Sequence, residues 1–74
     1  MADKTLDVKG LNCPMPILRA KKVLKDMPRG GMLEVLATDP GSVEDFPAFC
    51  KSLGDELVES TADGGVYRFL IRKG

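Results

Sequence analysis

Histidine and tryptophan are absent from the 74 residues, tyrosine occurs once and cysteine only twice. Without an imidazole the chain has no ordinary general base for a serine or cysteine nucleophile and no proton shuttle near neutral pH. Two thiols cannot complete an ordinary zinc site either, so no metal or other cofactor is expected. Two cysteines fall far short of a secreted disulfide framework, and the opening MADKTLDVKG holds no apolar stretch of the kind a signal peptide needs. The expected compartment is therefore a reducing cytoplasm. No apolar run approaches the ~20 residues that span a bilayer. Charge of one sign is lacking as well: eleven Lys and Arg face eleven Asp and Glu, and a net charge of zero favours neither a nucleic acid nor a membrane surface as partner.

What is present is an ordinary globular balance, 43% apolar and 30% charged, in a length that suits one domain and leaves no room for a second. Such a short chain buries only about 60% of its unfolded surface, so its core is small. The charges are unevenly placed. Residues 1–37 carry seven basic and four acidic side chains, and residues 38–74 carry four and seven. Five of the seven basic residues in the first half fall between Arg19 and Arg29, so a helix there presents a basic ridge.

The chain has no repeats and no linker-like stretch. Thr5 to Val8 alternates, with Leu6 and Val8 on one face, and Gly10-Leu11-Asn12 breaks the pattern before apolar spacing turns helical. From Pro14 to Met27 the 100° wheel gathers Ile17, Ala20, Val23, Leu24 and Met27 on one arc and turns Arg19, Lys22 and Lys25 away from it. Pro28 to Gly31 stops this helix, and Met32 to Thr38 reads as a buried strand. Asp39-Pro40-Gly41 is a turn, and Ser42 with Asp45 three residues on resembles a capping box opening a second helix to Leu53. Pro47 argues for a loose first turn that becomes regular from Asp45. Glu56 to Thr61 and Val66 to Arg72 form two strands around the hairpin signal Asp63-Gly64-Gly65. The order is βαβαββ. In the last strand Tyr67, Phe69 and Ile71 share one face and Arg68 and Arg72 the other, as expected if helices cover one side of the sheet only.

Asn12-Cys13-Pro14-Met15-Pro16 joins the first strand to the first helix and puts a thiol where that helix begins. Free amides and the partial positive charge of a helix N-terminus favour an anion, so a cysteine there loses its proton more readily than a free thiol. With Cys13 as N-cap, Pro14 and Pro16 fall at first-turn positions whose amides the helix does not use, and the segment is stiffened at no cost to it. The alternative is that Cys13 is a small packed residue, as free cysteines often are. For Cys50 packing is the expectation, because Phe46, Phe49, Cys50 and Leu53 follow helical spacing. A thioredoxin-type pair is excluded by Pro16, which stands where the resolving cysteine would be. Met15 and Leu18 lie off the apolar arc, beside Arg19 and Lys22, and form a candidate docking surface next to the thiol. Asp39 and Ser42 follow the second parallel strand at its carboxyl end. They are candidates to line the same crevice as Cys13, or simply to shape the turn and cap the helix.

Cys13-Pro14-Met15-Pro16 after Gly10-Leu11-Asn12 has the Cys-Pro-x-Pro signature of the TusA/SirA-like family of small sulfur-carrier proteins. The chain resembles that family from Leu6 to Lys73. Asp39-Pro40, Asp45-Phe46-Pro47-Ala48-Phe49-Cys50, Gly64-Gly65 and the ending Tyr67 to Lys73 are similar too. The resemblance implies a two-layer α/β sandwich with both helices on one face of a mixed four-stranded sheet. It implies a persulfide on Cys13, taken from a cysteine desulfurase or rhodanese-like donor and passed to an acceptor protein of the DsrE type or similar. Relatives serve tRNA thiolation, cofactor synthesis or dissimilatory sulfur oxidation. The expected assembly is a monomer. Two other readings remain open: a non-catalytic regulatory adaptor that binds an acidic partner surface through the basic first helix, and a nucleic-acid module, against which the zero net charge and the scarcity of aromatics count.

Overall fold

The computed structural model of the protein describes residues 3–12 and 15–74. Its elements are β1 (Lys4–Val8), α1 (Met15–Lys25), β2 (Met32–Ala37), α2 (Ser42–Leu53), β3 (Glu56–Asp63) and β4 (Val66–Arg72). The strands form one sheet in the order β1-β2-β4-β3. β1 and β2 are parallel, and β4 is antiparallel to both of its neighbours. The last strand of the chain is thus inserted between β2 and β3. α1 packs on β1 and β2, α2 on β3 and β4, and the two helices touch each other, which is the expected two-layer βαβαββ sandwich.

Period-2 alternation decides which side each strand residue faces. Leu6 and Val8 of β1 lie opposite Val35 and Ala37 of β2, and Leu33, Val35 and Ala37 lie opposite Ile71, Phe69 and Tyr67 of β4. These residues meet Ala20, Leu24, Met27, Phe46 and Cys50 from the helix layer. Phe46 stacks on Phe69 with ring centroids 4.6 Å apart, and Phe49 meets Phe46 edge-on at 6.2 Å. Burial of one such ring contributes about 1.5–3 kcal/mol, a large share for a domain this small.

The other face of the sheet is open and polar. Arg68 bridges Glu34 of β2 and Glu59 of β3, Thr5 donates to Glu34 at 3.3 Å, and Arg72 pairs with Glu56 at 2.8 Å. The hydrogen bond from Arg68 holds the Glu34 carboxyl below its ordinary pKa. Edge strand β3 is broken by a register shift between Leu57 and Glu59 and carries acidic side chains, which are features that discourage pairing with another sheet.

Several boundaries differ from the sequence reading, each for a local reason. α1 ends at Lys25, not Met27, because the amides of Asp26 and Met27 reach back only three residues, to Val23 and Leu24. β3 runs on to Asp63, so the hairpin turn is Gly64-Gly65 alone, and both glycines have positive φ, 57° and 84°. That pairing of left-handed residues is what a two-residue hairpin requires. The capping box at Ser42 does not form. Gly41 occupies the cap position, and its carbonyl takes the Glu44 and Asp45 amides (3.2 and 3.0 Å) that a Ser42 hydroxyl would have capped, while the Ser42 amide goes to the Asp39 carbonyl (3.0 Å). The amides of Val43 and Glu44 reach three residues back, and the four-residue ladder begins at Asp45. The helix then passes through Pro47, whose ring lies on the exposed side. Gly54, with φ 78°, closes it in the left-handed conformation.

Candidate functional site

Because β1 and β2 are parallel and paired from Lys4↔Leu33 to Val8↔Ala37, the loops that follow them leave the same end of the sheet. Residues 9–12 lead to Cys13, and residues 38–41 lead to α2. A strand of polar bonds shapes and joins these loops. Asp7 accepts from the Lys9 amide at 3.0 Å, the Leu11 amide donates to the Val8 carbonyl at 3.2 Å, and the Gly10 amide donates to the Thr38 hydroxyl at 2.8 Å. Gly10 has φ 83°, a turn conformation that a side chain would resist. Thr38 belongs to the loop after β2, so the last bond ties one loop directly to the other.

Cys13 and Pro14 lie outside the described residues. Their neighbours show what surrounds that position. The Met15 amide donates to the Asn12 carbonyl at 2.9 Å. Met15 is 39% exposed and Leu18 53%, and Arg19 and Lys22 are exposed on the same helix. The apolar and basic surface expected beside the thiol is therefore solvent-facing. Pro16 points the other way and is fully buried, so it anchors the start of α1 to the core. Asp39 is half-buried and shapes its turn, while Ser42 is only 1% exposed. Both stand at the expected end of the sheet, but Ser42 presents almost no surface there. Thr38 went unnoticed in the sequence because it looked like the last residue of β2. Only the strand pairing reveals that it leaves the strand to hold Gly10.

The electrostatics of the two helices differ. α1 has no acidic residue in its first turn and carries Lys22 and Lys25 in its last. Its N-terminal partial charge is left uncompensated within the helix, which favours an anion such as a thiolate or persulfide at that end. Cys50 lies near the other end of α2, 2% exposed and free, and its pKa is pushed up to about 11 by burial and by the nearby Asp55 carboxylate. It is a packing residue, as its spacing suggested. Among the described residues no group of three potential metal ligands comes together, and no helix is long and apolar enough to cross a membrane.

The small βαβαββ sandwich, with its Cys-Pro-Met-Pro segment leading into α1, is the arrangement the Cys-Pro-x-Pro resemblance implied, and comparison with known proteins identifies the family. The family described as Sulfurtransferase TusA matches residues 4–73. The sulfur carrier protein TusA of Allochromatium vinosum is 61% identical over 71 residues, covering 96% of this chain and 93% of that protein. TusA of Pseudomonas fluorescens is 46% identical, covering 96% and 86%. Among solved structures, a SirA-like protein from Desulfitobacterium hafniense superposes with a TM-score of 0.85 at 32% identity, over 96% of this chain and 97% of that one. The chain belongs to the TusA family of sulfur carriers.

Proposed function

We propose that Cys13 is the sulfur-bearing residue and that the protein relays sulfane sulfur from one partner protein to another through it. The carrier role comes with the family, whose named relatives are sulfur carriers. The single observation that carries the assignment to Cys13 is the contrast between the two thiols. Cys50 is sealed in the core with a raised pKa, whereas Cys13 stands two positions before a helix whose N-terminus has no acidic residue to neutralise it.

The step is a thiol-persulfide exchange. The Cys13 thiolate attacks the outer sulfur of a donor persulfide, the donor's S–S bond breaks, the donor leaves as a thiolate, and Cys13 holds the sulfur as a persulfide. Attack by an acceptor thiolate on that outer sulfur reverses the roles and frees Cys13. No electrons are gained or lost overall, so no external oxidant or reductant is needed. A donor of the cysteine desulfurase or rhodanese-like type and an acceptor of the DsrE type suit this chemistry. A monomer suits it as well, since the thiol must come within bonding distance of each partner in turn. Docking falls to the surface around Met15, Leu18, Arg19 and Lys22, all exposed and next in sequence to Cys13. Asp39 and Ser42 stand at the same end of the sheet, where Asp39 shapes the turn that leads into α2.

Intact-mass spectrometry after incubation with a sulfane donor tests the assignment. One added sulfur is expected on the wild-type chain, none on Cys13→Ser, and one on Cys50→Ser. Loading that followed Cys50 would overturn it. An adaptor that works through its basic helix alone would keep its partner's response in the Cys13→Ser variant.

A further inference from the structure

The C-terminal ends of α1 and α2 and the end of β4 come together around a hollow of about 170 Å³, lined by Lys21, Leu24, Lys25, Leu53 and Lys73. Leu24 is 1% exposed and forms part of the apolar wall, while Leu53, the last residue of α2, is 45% exposed at its side. Lys21 and Lys25 stand one helical turn apart, on the same side of α1. Lys73 donates from Nζ to the Leu24 carbonyl at 2.8 Å, which holds its ammonium group at the rim. Among the described residues none of these three lysines is in an ion pair, and no acidic side chain lines the hollow. Lysines in the last turn of a helix offset its negative end. Of the three, only Lys25 has that place, so the role accounts neither for Lys21 and Lys73 nor for the apolar hollow they surround.

We propose that this hollow is a second docking site, for an acidic peptide segment of a partner protein that carries one phenylalanine or leucine among its carboxylates. Size suits one anchor: an apolar cavity of roughly 150 Å³ accepts a benzene ring, so this open hollow of about 170 Å³ has room for a single ring or branched side chain. Charge selects its flanks, because three ammonium groups around one hollow match carboxylates on either side of one apolar residue. A lipid surface fits less well, since it would meet lysines around a hollow rather than a continuous apolar stripe.

The place of the hollow gives it a use. β4 is antiparallel to β2, and Met32 lies opposite Arg72, so the end of β4 is at the start of β2. The helices run back to that same end from the loops near Cys13. A segment docked there lies at the opposite pole from the Cys13 loop and leaves it open. A partner could hold the carrier by one pole and react at the other. This inference does not rest on the assignment of the sulfur to Cys13, and it fails or stands separately.

The test is a ¹⁵N chemical-shift titration of the full chain, at low salt, with the acetylated and amidated pentapeptide Glu-Asp-Phe-Glu-Asp. Saturable shifts are expected at Lys21, Leu24, Lys25, Leu53 and Lys73, with a Kd on the order of a millimolar. Replacing the peptide's Phe by Gly should weaken binding roughly tenfold, as should the exposed double variant Lys21→Glu with Lys25→Glu, whose fold is checked by the same spectra. Leu53→Glu, also on the surface, should do the same. Shifts confined to residues 15–19, a Gly peptide that binds as well as the Phe peptide, or no saturable shifts at all would each overturn the proposal. Binding of phosphatidylglycerol vesicles through these residues in preference to the peptide would make the site a lipid surface instead and would overturn it too.

Discussion

α1 and α2 are near copies in plan: 11 and 12 residues, each following a strand of the same direction, each starting at the same end of the sheet. Their first turns are opposites. α2 begins with Glu44 and Asp45, carboxylates that answer the positive end of its own dipole, and its first serine is buried. α1 begins with Met15 and a buried Pro16 and has no acid there. A helix N-terminus attracts an anion wherever it is not already satisfied. One helix supplies its own negative charge, and the other leaves that role open beside a cysteine. The thiols follow the same division: the one on α2 sits near the negative end of its helix, next to Asp55, and is held protonated to about pH 11.

The largest effect that could break this contrast lies in thiol reactivity against pH. In native protein, Cys13 should be alkylated through an ionisation below that of a free thiol, while Cys50 should react only after unfolding. Peptide mapping of the labelled sites reads this directly. Equal labelling of both cysteines in the native state would erase the distinction.

A sharper test separates docking from chemistry. Reversing Arg19 and Lys22 to Glu should slow sulfur transfer from a protein donor roughly tenfold at low ionic strength and less at high salt. The rate with a small neutral thiol reagent should stay nearly constant. Transfer at the wild-type rate would mean that α1 is only a solvated face. The tie between the loops should matter less: Thr38→Val removes the acceptor of the Gly10 amide, a bond worth about 0.5–1.5 kcal/mol where water cannot fully replace it. Sulfur transfer should drop a few-fold and be restored in Thr38→Ser. A serine variant as slow as the valine one would point to lost packing rather than a lost bond.

The smallest effect belongs to the open face of the sheet. Glu34 has a lowered pKa in the folded state, so its contribution is complete above its ordinary value of 4.5 and is lost as pH falls through the lower folded value. Thermal melts taken from about pH 6 down to about pH 3 should show Glu34→Gln losing less stability than wild type. Identical slopes would show that the bonds with Arg68 and Thr5 contribute nothing measurable.

Local pattern determined much of this protein. The order of six elements follows from where period-2 alternation gives way to helical spacing and from the glycines and prolines between. The burial of Cys50 follows from its spacing with Phe46 and Phe49, and the exposure of Met15 and Leu18 from their places off the apolar arc of α1. These features depend on residues a few positions apart, so a reading along the chain can find them. The tertiary structure alone decided that β4 enters between β2 and β3, because pairing between strands dozens of residues apart leaves no mark on local periodicity. It decided the fate of Thr38 for the same reason. Thr38 spends its hydroxyl on a glycine 28 residues earlier in the chain. The hollow among Lys21, Lys25 and Lys73 likewise exists only where two helix ends and a strand end meet, and on the sequence those lysines are no more than scattered charge.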